Sequence, residues 1–263
     1  MISAFRSLTL IGFLSLSATS LFAQHEHVDL ELGYDNLSTP GSLILHGGDY
    51  TSDGIRLFES GMEELDPFDP GNFSSDAPGF ATNAAEGILV NPGDQIWIRA
   101  LDAATNSAFG VGYVNFYNPL TDSLEATGRI GLYDNSTATA DLILNGMSVE
   151  SGLLSQFIDI GDTTTPGGIH DHVIFDLLDD SSAPLGAYGI LFELQSDFAT
   201  ADGIMDLTSE KFWLVWNHGM DEGDFDTFAL PKFGAISAVP EPSAALLLGI
   251  AGLGSVLMRR RKD

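Results

Sequence analysis

Between residues 24 and 236 the apolar positions fall in short alternating or continuous runs, and no helical period persists beyond about two turns. Runs of this length, rich in β-branched and aromatic residues and separated by Gly, Pro, Asn and Asp, predict strands. The candidates are 27–32, 42–46, 54–58, 95–101, 109–117, 128–133, 140–144, 170–177, 187–194 and 211–216. Turn chemistry separates them at Thr39-Pro40-Gly41, Asn91-Pro92-Gly93-Asp94, Thr165-Pro166-Gly167-Gly168 and Ala201-Asp202-Gly203. About ten strands with no long linker predict one all-β domain, an antiparallel β-sandwich. Residues 59–83, with Pro67, Pro70 and Pro78 among several acids, read as a long loop. The acidic stretch 219–228 reads as a short helix or an acidic loop.

The two ends do not share this pattern. Residues 1–23 place Arg6 before an apolar core (Leu8, Leu10, Ile11, Phe13, Leu14, Leu16) and small residues before Ala23, the organisation of a secretory signal peptide. At the other end, in the segment 237–263, Val239-Pro240-Glu241-Pro242-Ser243 precedes an uncharged apolar run from Ala244 to Met258, and Arg259-Arg260-Arg261-Lys262 follows it. The prolines oppose regular structure before the run, and the run itself predicts a C-terminal hydrophobic helix entering the bilayer. The basic cluster is expected to stay on the cytoplasmic side. At 1.5 Å per residue this helix would span only about 22 Å, which suits a transient inner-membrane anchor.

The order of Pro-Glu-Pro, hydrophobic helix and arginine cluster closely resembles the PEP-CTERM sorting signal. That resemblance implies processing by an exosortase-type enzyme, a place on the envelope of a Gram-negative bacterium, and association with exopolysaccharide producers.

Charge narrows the partners of the segment 24–236. Of the chain's 37 acids all but Glu241 and Asp263 lie in this segment, and of its ten bases only Arg56, Arg99, Arg129, Lys211 and Lys232 do. Thirty-five acids against five bases leave a net charge of −30. Such a field repels phosphate backbones, excludes nucleic acid as a partner and attracts cations. The chain has no cysteine, so thiol nucleophiles, thiolate-bound zinc and iron–sulfur clusters are excluded. Any metal must be held by nitrogen and oxygen.

Four of the six histidines occur as His-x-His pairs: His25 and His27, followed by Asp29, and His170 and His172. In a strand, residues i and i+2 share a face, so His25, His27 and Asp29 project together, as do His170, His172 and Asp176. Two such pairs on neighbouring strands supply a four-ligand tetrahedral set, or three ligands and an open position. Imidazole with carboxylate suits zinc, and also copper, nickel or iron. His46 and His218 stand alone and read as structural.

The segments around His25-Glu26-His27-Val28-Asp29, His170-Asp171-His172-Val173 and 211–219 together resemble the Zur-repressed PEP-CTERM family of surface proteins. They are similar in turn to the choice-of-anchor M surface domain. The resemblance implies expression under zinc limitation and a surface role in zinc binding, with His25, His27, His170 and His172 as the matching ligand positions.

Other chemistry is missing. His25-Glu26-x-x-Asp29 lacks the second histidine of a zincin, and there is neither a nucleophile elbow nor a phosphate loop. No enzyme is expected. The acids from Asp221 to Asp226 lack the ligand order of an EF-hand, and Trp97, Trp213 and Trp216 are either a sugar platform or core. Two functions remain: a surface zinc-binding protein, or a structural or adhesive matrix protein that contacts exopolysaccharide.

Overall fold

A computed structural model of the chain describes residues 29–38, 40–64, 73–134, 142–151, 158–162, 168–178, 183–199 and 205–234. The signal peptide, His25, His27, the Val239–Ser243 motif, the apolar run and the basic cluster lie outside the described residues. Among the described residues no helix is long and apolar enough to cross a membrane.

The expected all-β class is observed, with nineteen described strands in three sheets. A four-stranded sheet contains β1 (Leu30–Tyr34), β2 (Leu43–His46), β7 (Phe80–Ala81) and β15 (His170–Asp171), in the order β15-β7-β1-β2. A nine-stranded sheet runs from β10 (Ser123–Glu125) and β9 (Asn115–Asn118) through β17 (Gly186–Ala199) and β19 (Phe212–His218) to β4 (Arg56–Gly61) and β3 (Asp49–Tyr50). Within it β17 also pairs with β8 (Gln95–Leu101) and β18 (Met205–Thr208), and β8 pairs with β14 (Ile158–Asp162). The third sheet orders β13 (Val149–Ser151), β12 (Leu142–Asn145), β11 (Arg129–Asp134), β16 (Val173–Leu177), β6 (Phe73–Ser75) and β5 (Glu63–Glu64). Pairing is mostly antiparallel, as expected. Two pairs, β1 with β7 and β4 with β19, are parallel.

Burial explains the two kinds of sequence pattern. In β1, β2, β12 and β16 every second residue is buried, and Leu30, Leu32, Leu43, Leu45, Leu142, Leu144, Val173, Phe175 and Leu177 join one core cluster. Tyr188, Ile190, Phe192, Phe212, Leu214 and Trp216 of the nine-stranded sheet belong to the same cluster. The alternate residues Ala187, Leu191, Trp213 and Val215 pack on the sheet's other side against Phe225, Ala229, Leu230 and Phe233. A strand covered on both faces has no reason to alternate, so β19 reads as the continuous run Phe212-Trp213-Leu214-Val215-Trp216. Trp213 and Trp216 are therefore core, and no sugar platform is built from them.

The cover over the second face is helical, which decides between the two readings of 219–228. α1 (Glu222–Asp224), a π-helical turn (Phe225–Ala229) and α2 (Leu230–Phe233) run end to end. Asp221 caps the start by accepting from the Gly223 amide at 3.0 Å. Glu222 and Asp224 lie in the first turn, where negative charge complements the helix dipole.

The segment 59–83 departs from the expected long loop, because β6 and β7 lie in it, as do the last residues of β4. Together with β15 and β16 they form the seam between the four- and six-stranded sheets. β16 pairs with β6 and β15 pairs with β7, both antiparallel. The predicted strand 170–177 is thus broken only at His172, while its partner is broken over 76–79. Asp171 faces Phe80 and Phe175 faces Ser75, so three residues on one side oppose four on the other. This is the geometry of a bulge, which bends a strand and re-aims its side chains.

Candidate metal centre

The site forms where that bulge meets the start of β1. β7 is the central strand: Leu30 pairs with Phe80 on one side, and Asp171 pairs with Phe80 on the other. Phe80 and Leu30 point into the core with no exposure. Their neighbours point outward by strand alternation. Glu31 and His170 therefore flank Ala81, and Asp29 and His172 flank Gly79, whose carbonyl accepts from the Leu30 amide at 2.7 Å. The outer face is a shallow trough. Its floor is Gly79 and Ala81, one wall carries the carboxylates Asp29 and Glu31, and the other carries the imidazoles His170 and His172.

Asp29, His170 and His172 each bring a ligand atom within 4.8 Å of the others. Ligand atoms around a tetrahedral zinc with bonds of about 2.0–2.1 Å are roughly 3.4 Å apart, so a small inward turn of the side chains completes the contact. His170 Nε2 is 3.1 Å from Asp29 Oδ2, and its side chain is 67% exposed against 28% for Asp29. A carboxylate only accepts, so without an ion the Nε2 proton of His170 bridges the two; a metal ion would take that proton's place. His170 and His172 meet edge to face with ring centroids 5.2 Å apart.

His172 is the most constrained of the three. Its Nδ1 lies 2.8 Å from the Asp76 carbonyl oxygen, and its backbone amide donates to Asp171 Oδ1 at 2.8 Å. Below it, a Cβ at Gly79 would come within 2.6 Å of both Asp29 Oδ1 and His172 Cε1, and 2.9 Å of His172 Nδ1. The side chains of Asp29 and His172 fill the space that any other residue at 79 would occupy. The donor set, two imidazoles and one carboxylate, fits a borderline-soft divalent ion better than calcium, which prefers six to eight oxygens.

Of the five expected ligands, the structure brings together Asp29, His170 and His172, while His25 and His27 lie outside the described residues. Asp176, expected on the same face, sits farther along β16 in the six-stranded sheet and accepts from the Tyr133 hydroxyl at 3.3 Å. His46 faces Glu31 across the β1–β2 ladder. Glu31 itself accepts from Asn83 Nδ2 at 2.7 Å. His218 is buried against Phe73, with ring centroids 4.5 Å apart, in keeping with a structural role. Asp76 and Gly79 escaped sequence reasoning. The Pro78-Gly79 pair marks a turn, but nothing in the sequence says which histidine it faces.

Comparison with known families matches residues 238–262 to the PEP-CTERM protein-sorting motif. No curated protein and no solved structure matches the chain. The motif makes this an exported protein of the cell envelope, processed by an exosortase, as in Gram-negative bacteria.

Proposed function

We propose that this exported, exosortase-sorted protein binds a divalent transition-metal ion, zinc foremost, on the outer face of its four-stranded sheet. Asp29, His170 and His172 are the described ligands. His25 and His27, the other two expected ligands, precede Asp29 in the sequence. The observation that carries the reading is the convergence of Asp29, His170 and His172, with Asp29 and His172 closing over Gly79, where an added Cβ would meet both. The likeness of the His25–Asp29 and His170–Val173 segments to the Zur-repressed family and the anchor-M domain supports the same reading. It adds the expectation of a role in zinc acquisition or storage when zinc is scarce. The acidic surface raises the local cation concentration around the site.

The test is the metal content of tag-free protein, followed by zinc titration against a variant carrying His170→Ala and His172→Ala. One zinc per chain, lost in the double variant, is the expected result. Protein that takes up no zinc, with identical titrations for both forms, would sink the reading and leave a matrix protein contacting exopolysaccharide in its place.

A further inference from the structure

Resting on that metal reading, we propose that the connection 76–79 is the positioning shell of the centre: the Asp76 carbonyl makes Nε2 the coordinating atom of His172, and Gly79 keeps the floor bare so that His172 and Asp29 reach one ion.

The first half follows from the chemistry of the hydrogen bond. A carbonyl oxygen has no proton to give, so the 2.8 Å contact between His172 Nδ1 and the Asp76 oxygen requires the proton on Nδ1. The lone pair is then on Nε2. A backbone carbonyl on the second nitrogen fixes both the tautomer and the ring plane of a metal-binding histidine.

The second half follows from the kind of glycine that Gly79 is. Eight described glycines have positive φ, and Gly79 is not among them. Its backbone conformation therefore does not by itself demand glycine. What it lacks is room, since an added Cβ meets Asp29 Oδ1, His172 Cε1 and His172 Nδ1 at 2.6–2.9 Å. All three are atoms of side chains that can turn away at little cost to the fold. An alanine there keeps the sheet and displaces the two ligands.

The connection is also tied to the core. The Ala77 carbonyl accepts from Trp216 Nε1 at 3.1 Å and from Ser75 Oγ at 3.1 Å. Trp216 is wholly buried and stacks on Phe175 with ring centroids 4.6 Å apart. The backbone that presents the Asp76 oxygen and Gly79 is thus anchored independently of the ligands themselves.

The experiment compares zinc affinity of the full chain with that of Gly79→Ala, using Gly168→Ala as control. Gly168 lies two residues before His170 with open space where its Cβ would stand. Outer-shell changes typically weaken metal binding about 10–100-fold, and that loss is expected for Gly79→Ala, with unchanged circular dichroism. Gly168→Ala is expected to bind like the unaltered protein. In parallel, long-range 15N–1H spectra of the histidine rings report the tautomer. Without zinc His172 is expected as the Nδ1–H form, and with zinc its Nε2 resonance is expected to move while Nδ1 stays protonated. Full affinity in Gly79→Ala, or a His172 proton on Nε2, overturns this proposal and leaves the metal site standing. Failure of the unaltered protein to bind zinc overturns both.

Discussion

His170 Nε2 lies 3.1 Å from Asp29 Oδ2, although the two residues stand far apart in the sequence. The strands β1 and β15 are not paired with each other. The two-residue strand β7 pairs with both, and its small outward residues, Gly79 and Ala81, leave the gap between them open for side chains to close. The shortest strands of the molecule thus set the geometry of its candidate centre.

Binding to the folded state alone stabilises it by RT ln(1 + [L]/Kd), about 2.7 kcal/mol at a ligand concentration a hundred times Kd. For a domain of this size that corresponds to a rise in Tm of roughly 5–10 °C. Scanning calorimetry with increasing zinc is expected to show this rise, and Asp29→Asn is expected to reduce it strongly. Without zinc the same variant should melt within about 0.5 kcal/mol of the unaltered protein, because His170 is largely exposed. A zinc-independent Tm in the unaltered protein would contradict the assignment.

A second prediction concerns acid stability. The Tyr34 hydroxyl donates to Asp94 Oδ2 at 2.6 Å and lies 2.6 Å from Ser196 Oγ. Burial pushes the Asp94 carboxyl above its ordinary 3.8; the Tyr34 hydrogen bond pulls the other way, and the nearby charge of Asp197 adds to the rise. A raised folded-state value means that the native protein holds this proton more tightly than the unfolded chain does. The group's stabilising contribution is then complete below about pH 3.8 and is lost as pH rises through the folded-state value. Asp94→Asn keeps an acceptor for Tyr34 and removes the ionisation. Urea unfolding should find it more stable than the unaltered protein at pH 7, with the difference closing toward pH 3.5. A variant less stable at pH 7 would show that the charge is compensated.

Much of this architecture was legible in the sequence, and the exceptions have physical causes. The strand 95–101 was read to the residue, and 42–46 to within one, because each alternates over a half-buried surface. The run 109–117 was read too long. Asn115 turns its side chain back onto the Val111 and Gly112 amides, and regular pairing begins only there. β6 and β7 were missed because they lie in a Pro-rich acidic stretch and have only three and two residues. Strands that short carry no period, and it is their partners that hold them in the sheet. For the same reason the candidate cluster was legible and its floor was not. His-x-His and Asp29 announce themselves by type and spacing, whereas Gly79 matters only through what stands on either side of it.

The C-terminal helices give a third prediction. Phe233 is fully buried, meets Trp213 edge to face at 5.4 Å, and lies over Gly189, where any Cβ would collide with its ring. Phe233→Ala removes the most C-terminal core side chain among the described residues, and a buried Phe→Ala change typically costs 3–5 kcal/mol. Denaturant unfolding should show a loss of about that size. A loss below about 1 kcal/mol would mean that the helix contributes little to holding the nine-stranded sheet.

Salt gives the fourth. Arg56 pairs with Glu210, Arg99 with Glu193, Arg129 with Glu150 and Lys232 with Asp122. Each of these pairs has at least one exposed partner, and exposed pairs contribute about 0–1 kcal/mol each. Against them stands a net charge of −30 over residues 24–236, whose mutual repulsion acts across the whole surface. The screening length falls from about 30 Å at 0.01 M salt to about 3 Å at 1 M, which weakens both effects. Repulsion among many uncompensated carboxylates outweighs the short attractions of the described pairs, so Tm should rise between 0.01 and 1 M sodium chloride. The same screening would dilute the local excess of cations, so zinc should bind more weakly at the higher salt even as the fold becomes more stable. A Tm that falls on adding salt would mean that ion pairing outweighs the repulsion.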